Sequence, residues 1–101
     1  MFIYNVTFKV SWNAHDKWLE WLRSYHIPAI MEYNSFSAHK LLKLHNLDES
    51  DGATYALQLF ADSKADYNRY IELHANEVAT IEQRFWGMEV FSFSTLMEIV
   101  D

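Results

Sequence analysis

The period of the apolar residues switches along this chain from two to about 3.6, back to two twice, to 3.6 again and finally to two. No other feature narrows the possible folds as much, because each period belongs to one kind of backbone. Phe2 to Val10 alternates, with Phe2, Tyr4, Val6, Phe8 and Val10 on one face and Ile3, Asn5, Thr7 and Lys9 on the other. A helix follows, to about Tyr33. Steps of about 100° gather His15, Trp18, Leu19, Trp21, Leu22, Tyr25, His26 and Ala29 in one arc, and Asp16, Lys17, Glu20, Arg23 and Ser24 opposite. Ser11 or Asn13 suits its N-cap, and a kink is expected at Ile27 to Pro28, where the proline lacks an amide and crowds the Ser24 carbonyl.

Phe36 to His45 reads as a second strand at a sheet edge, because His39, Lys40 and Lys43 interrupt its leucines. The acidic turn Asn46 to Gly52 lacks the alternating oxygen ligands and closing glutamate of a calcium loop. Ala53 to Ala61 is strand three. The second helix, Ser63 to Phe85, is capped by Asp62 or Ser63 and carries the stripe Tyr67, Tyr70/Ile71, His74, Val78, Ile81, Phe85, in which His74 is the one ionisable member. Gly87 suits the left-handed exit of that helix. Met88 to Val100 is strand four, with Phe91, Phe93, Met97 and Ile99 on one side and Val90, Ser92, Ser94 and Leu96 on the other.

The order βαββαβ predicts a single ferredoxin-like α+β domain over residues 1–101: a four-stranded antiparallel sheet, ordered 4-1-3-2, with both helices on one face. The strongly apolar face is expected under the helices, although the pattern alone also admits the reverse assignment. The mixed face, containing Asn5, Thr7, Gln58, Ser92 and Ser94 with Ile3, Phe60, Val90 and Leu96, is left to meet a second sheet. Half of the residues are hydrophobic and 17% aromatic, generous for a chain of 101 residues, so a homodimer is expected to cover that face.

The same inventory removes several function classes. Without cysteine there is no disulfide or thiolate chemistry. The formal charge is −6 and the eight Lys and Arg are scattered, which disfavours a nucleic-acid surface. Two glycines and one proline provide no Gly-rich phosphate cradle, so no nucleotide cofactor is expected. Met1 to Val10 alternates instead of pairing a basic segment with an apolar run, so neither a signal peptide nor a membrane span is expected and the default location is cytoplasmic. Metal needs three or four converging ligands, whereas His15 lies three turns from His26, and His39 and His45 sit apart on an edge strand.

The segments Trp12-Asn-Ala-His15-Asp-Lys-Trp18-Leu-Glu-Trp21-Leu, His26-Ile-Pro28, Tyr55-Ala-Leu-Gln-Leu-Phe60 and Ser63-Lys-Ala-Asp-Tyr67-Asn-Arg-Tyr70-Ile-Glu-Leu-His74-Ala resemble a family of small bacterial proteins classed as domains of unknown function. The resemblance spans nearly the whole chain. That family is similar to the dimeric α+β-barrel superfamily, which includes antibiotic-biosynthesis monooxygenases, lactone isomerases and haem-degrading enzymes. The resemblance implies a dimer with a pocket between helices and sheet, and it implies no reaction. Haem degraders of this kind use an asparagine on strand one, a tryptophan on helix two and a histidine about three turns further along. Here Asn5 and Tyr70 take the first two places approximately, but Thr80 stands where the histidine belongs and His74 comes too early, so the pattern departs from theirs.

If the helices run antiparallel, His26 and His74 fall at similar heights on inward arcs. A cleft between the helices then holds both imidazoles as general acid/base groups, with Trp18, Tyr25, Tyr67 and Tyr70 as the aromatic walls of a ligand site. The competing reading is a filled interhelical core with histidines bonded to a tyrosine or a carbonyl. Two functions correspond to these readings: a cofactor-independent monooxygenase or isomerase acting on an aromatic or polycyclic molecule, or a noncatalytic ligand-binding or protein-interaction domain.

Overall fold

Strand β1, Phe2–Ser11, lies at the centre of the sheet because it is long, alternating and apolar on one face. In the computed structural model, which describes residues 1–101, it pairs antiparallel with β3, Gly52–Ala61, on one side and with β4, Val90–Glu98, on the other. Strand β2, Ala38–Lys43, adds to the outer edge of β3, giving the order β2-β3-β1-β4 expected from the sequence. Gly52 is required where β3 starts: a Cβ there would lie 1.9 Å from the Val10 carbonyl oxygen.

The helices cover the face carrying Phe8 and Val10 of β1 and Ala53, Tyr55, Leu57, Leu59 and Ala61 of β3, all of them buried. Trp18, Leu22, Ile27, Ile30, Tyr70 and Val78 descend onto that face and complete the core. The assignment of the β1 apolar face to the helix side therefore holds. The phase of β4 does not. Register sets Ser92 opposite Phe8 and Ser94 opposite Val6, so Ser92 and Ser94 lie on the helix side, while Phe91 and Phe93, opposite Lys9 and Thr7, lie on the open face. Directly opposed residues share a face, so one pairing fixes the whole strand. Phe91 is 62% and Phe93 66% exposed, and Leu42 and Met97 add apolar surface to the same open face.

The first helical segment is built in three pieces: α1, His15–Trp21, a π-helical turn, Leu22–His26, and α2, Ile27–Met31. In the π turn the Ile27 N–H reaches back five residues to the Leu22 carbonyl. The irregularity thus precedes the expected kink at Pro28: widening the turn accommodates the ring, which then sits in the first turn of α2, where an amide is not needed. Neither candidate cap acts as drawn from the sequence. Ala14 occupies the N-cap of α1, and Ser11 Oγ accepts its N–H at a long 3.4 Å.

The second helix is also divided, into α3, Lys64–Leu73, and α4, Ala75–Trp86. Ser63 caps α3 by accepting the Asp66 N–H at 3.1 Å. The break is at His74, whose φ of −130° is outside the helical range. Its N–H still bonds to the Tyr70 carbonyl and its carbonyl still receives the Val78 N–H, so the ladder bends without losing these bonds. Beyond the bend the inward stripe runs through Val78, Glu82 and Trp86; Phe85, expected on that stripe, is 61% exposed. Gly87, at φ +52° and ψ −127°, ends α4 in a conformation reserved for glycine.

Candidate functional site

A hollow of about 210 Å³ lies between α4 and the sheet. Tyr4, Val6 and Phe8 form its floor, Leu57 and Leu59 extend that floor, and Val78 and Ala79 of α4 form the roof. It exists because β4 presents serines beneath α4: Ser92 and Ser94 occupy little volume, so the strand side is open to solvent and the helix has nothing there to rest on. A second hollow of about 220 Å³ continues toward Trp18, Trp86 and Val90. The two share Phe8, Ala79, Glu82 and Ser92, so they form one groove along α4.

Glu82 is the only charged side chain in either wall. One of its oxygens, Oε2, lies 2.7 Å from Nε2 of His26. The imidazole is 4% and the carboxylate 21% exposed, so the histidine is the buried partner and the glutamate the one that reaches the groove. His26 ends the π turn and stacks on Trp21 with 4.2 Å between ring centroids. Trp21 in turn meets Trp86 at 5.5 Å, which ties the imidazole to the end of α4. A buried imidazole held by an indole fixes where the carboxylate points.

Tyr70 also lines the first hollow. It is 2% exposed, its ring packs on Tyr4 at 5.8 Å and Phe36 at 4.8 Å, and its hydroxyl finds no hydrogen-bond partner in the chain. Burial pushes its phenol well above the ordinary 10.0, and the neighbouring Tyr4, Glu82 and Tyr33 push it further the same way. It is a neutral donor throughout the physiological range.

The other residues singled out from the sequence lie as follows. His74 is at the bend between α3 and α4, stacked on Tyr33 at 3.8 Å with nearly parallel rings, and it lines neither hollow. Neither imidazole lines the hollows: His26 is buried behind Glu82, two turns beyond His74, and reaches the groove only through that carboxylate. Trp18 is a core residue against Phe8 and Tyr55, with an edge on the second hollow. Tyr67 packs on Tyr4 at 5.6 Å, outside the lining, and Tyr25 is 71% exposed. His15 is set apart, with Nε2 2.8 Å from Tyr55 Oη and Nδ1 2.8 Å from an Asp16 oxygen. No three His, Asp or Glu side chains converge in a way that would hold a metal ion. The sequence reading missed Glu82, Ser92 and Ser94. For Glu82 the signal was present: steps of four from Tyr70 reach His74, Val78 and then Glu82.

The family model described as a domain of unknown function (DUF4286) matches residues 1–100. The chain belongs to the DUF4286 family. No curated protein matches this DUF4286 chain. Solved structures do. A dimeric ferredoxin-like protein from an uncultured marine organism superposes with a TM-score of 0.77 at 8% identity, over 99% of the DUF4286 chain and 95% of its own. A protein described as an antibiotic biosynthesis monooxygenase gives 0.66 at 13% identity, with complete coverage of both chains. SnoaB from Streptomyces nogalater, described as a cofactor-independent oxygenase, gives 0.61 at 13% identity, over 99% and 94%. At such identities the likeness is one of fold. It establishes the DUF4286 chain as ferredoxin-like α+β.

Proposed function

We propose that the protein binds a small, flat, mainly apolar molecule in the groove beneath α4 and moves a proton on it, with Glu82 as the base and His26 as the residue that positions it. The observation that carries this reading is the placement of one carboxylate at the junction of two apolar hollows, anchored through Oε2 by a buried imidazole. A lone acid in a mainly apolar wall is well placed to accept a proton from a ligand that excludes water. Structural relatives described as a monooxygenase and as a cofactor-independent oxygenase support a cofactor-independent monooxygenase; an isomerase acting on an aromatic or polycyclic substrate is the other form that the same proton transfer serves. Of the aromatic residues expected around the ligand, Tyr70 and the edge of Trp18 line the groove, joined by Tyr4, Phe8 and Trp86; His74, Tyr25 and Tyr67 are outside it.

The reading includes a homodimer. The open sheet face carries Phe91, Phe93, Leu42 and Met97, and a second copy of the same face supplies a matching apolar surface. Relatives described as dimeric and ferredoxin-like support the same assembly. That face also supports the noncatalytic alternative, an interaction domain whose surface is its function.

Titration with 1-naphthol, followed by amide NMR, tests the groove. Shifts concentrated at Ala79, Glu82 and Ser92 are expected. Shifts confined to the open face around Leu42 and Met97, or none at millimolar probe, would reject it.

A further inference from the structure

Tyr70 and Glu82 line the same hollow and are opposite in chemistry: one is a phenol that keeps its proton, the other a carboxylate that accepts one. Nothing in the chain uses the Tyr70 hydroxyl, although the residue is almost wholly buried. The hydroxyl itself is not sealed in, since the buried polar atoms left without a partner are Ser35 Oγ, Glu49 Oε2 and Trp86 Nε1, so it is free to donate to a ligand atom that displaces solvent. Val6, Phe8 and Leu57 line the same hollow, with Ser92 and Ser94 on its strand side. A ligand that satisfies both groups carries an acceptor oxygen for Tyr70, an acidic hydrogen for Glu82 and an apolar body.

We propose that Tyr70 and Glu82 together select an enolisable carbonyl compound, and that the protein catalyses its enolisation. This rests on the reading of the groove as a ligand site. The Glu82 carboxylate takes a proton from the carbon beside the carbonyl. The C–H pair becomes the new C=C bond, and the carbonyl π pair moves onto oxygen. The resulting enolate oxygen accepts a hydrogen bond from the Tyr70 O–H, which strengthens as charge develops there. Glu82, now a carboxylic acid, returns the proton to carbon or to oxygen, giving a tautomer or an isomer with no oxidant or reductant consumed. His26 does not touch the ligand; its Nε2–H holds Oε2 of Glu82 and so positions the base.

The probe is 2-tetralone, a bicyclic ketone with acidic ring hydrogens, and its hydrocarbon counterpart tetralin reports binding alone. In D2O, exchange of the hydrogens beside the 2-tetralone carbonyl is followed by NMR. Wild type is expected to accelerate exchange by at least about 100-fold over buffer, and Tyr70→Phe to lose roughly 100-fold of the catalysed rate while binding tetralin as before. Glu82→Gln should lose at least as much. If tetralin binds and 2-tetralone does not exchange, enolisation is overturned while the groove stands. If neither binds, the groove reading itself has failed. An unchanged rate in Tyr70→Phe removes the tyrosine from the site. Should that variant lose tetralin binding or its native circular dichroism, site-specific 3-fluorotyrosine at position 70 provides a more acidic donor in the same fold. It should speed exchange, and an unchanged rate overturns the role of Tyr70.

Discussion

Nε2 of His26 lies 2.7 Å from Oε2 of Glu82, a contact that joins residues 56 positions apart and closes the π turn of the first helical segment onto α4. One partner is buried and the other faces the groove, so the pair serves the fold and the site at once. Removing either member leaves the other with an unmet polar atom.

The two side chains should therefore be coupled energetically. His26→Ala is expected to cost about 2 to 4 kcal/mol, through lost packing on Trp21 and the stranded carboxylate. Glu82→Ala should cost about 1 to 3 kcal/mol, and the double variant should be less destabilised than the sum by about 1 kcal/mol or more. Denaturant melts of the four proteins measure this. Additive losses would contradict a direct bond.

Tyr70 makes stability fall at alkaline pH. Its folded phenol titrates above the ordinary 10.0 because burial disfavours the phenolate. Below pH 10.0 both states keep the proton and the full contribution is present. Above that value the unfolded chain loses its proton first and binds fewer than the folded one, so stability declines until the folded value is passed. Each such tyrosine adds a slope of up to about 1.4 kcal/mol per pH unit. Melts between pH 9 and 11 should show a shallower decline in Tyr70→Phe; equal slopes would mean that the ring is solvated.

His74 carries less weight than its place in the stripe suggests. It forms no side-chain hydrogen bond, is half-buried, and is held by its stack on Tyr33. His74→Ala should cost about 1 kcal/mol, the scale of one aromatic pair, and leave groove binding unchanged. A denaturant melt that finds more than about 3 kcal/mol would show that the bend between α3 and α4 depends on this imidazole.

How much of this was readable in the sequence depended on which elements are positioned by their own pattern. The alternation of Phe2 to Val10 is long, and its inward and outward residues differ sharply, so β1, its buried face and the strand order followed from it. Strand β4 also alternates, but alternation gives two faces without saying which one looks inward. The pairing of Val6 with Ser94 decides that, and pairing is a long-range fact. Reading the aromatics as the inward set filled the space beneath α4 and so hid the groove. His74 hid the bend in a similar way. An unbroken stripe favours one straight helix, while a stack on Tyr33 from a distant segment fixes a break that local propensity does not encode. His26 was legible as an inward residue, whereas its partner Glu82 was not singled out, because an acid on a helix usually faces solvent and its role here depends on a contact 56 residues away.

The open face gives a prediction about assembly. Phe93 sits opposite Thr7 in a row that continues through Ala56 and Leu42. Sedimentation at micromolar concentration should show a dimer for the wild type and a folded monomer for Phe93→Glu, since each copy then brings a charge into the apolar contact. A monomeric wild type would remove the dimer from the account.

The groove is the centre of the account, and Ala79 gives the most direct access to it. Its side chain lies in the roof of both hollows and is exposed, so a larger residue fits there without disturbing the core. Calorimetric titration with tetralin should show wild type binding with a Kd on the order of 1 mM or tighter, a usual affinity for a ligand of that size. Ala79→Trp should fill the space and abolish binding with the melting temperature unchanged. Tetralin binding that is absent from the wild type, or that persists in Ala79→Trp, would contradict a ligand site beneath α4.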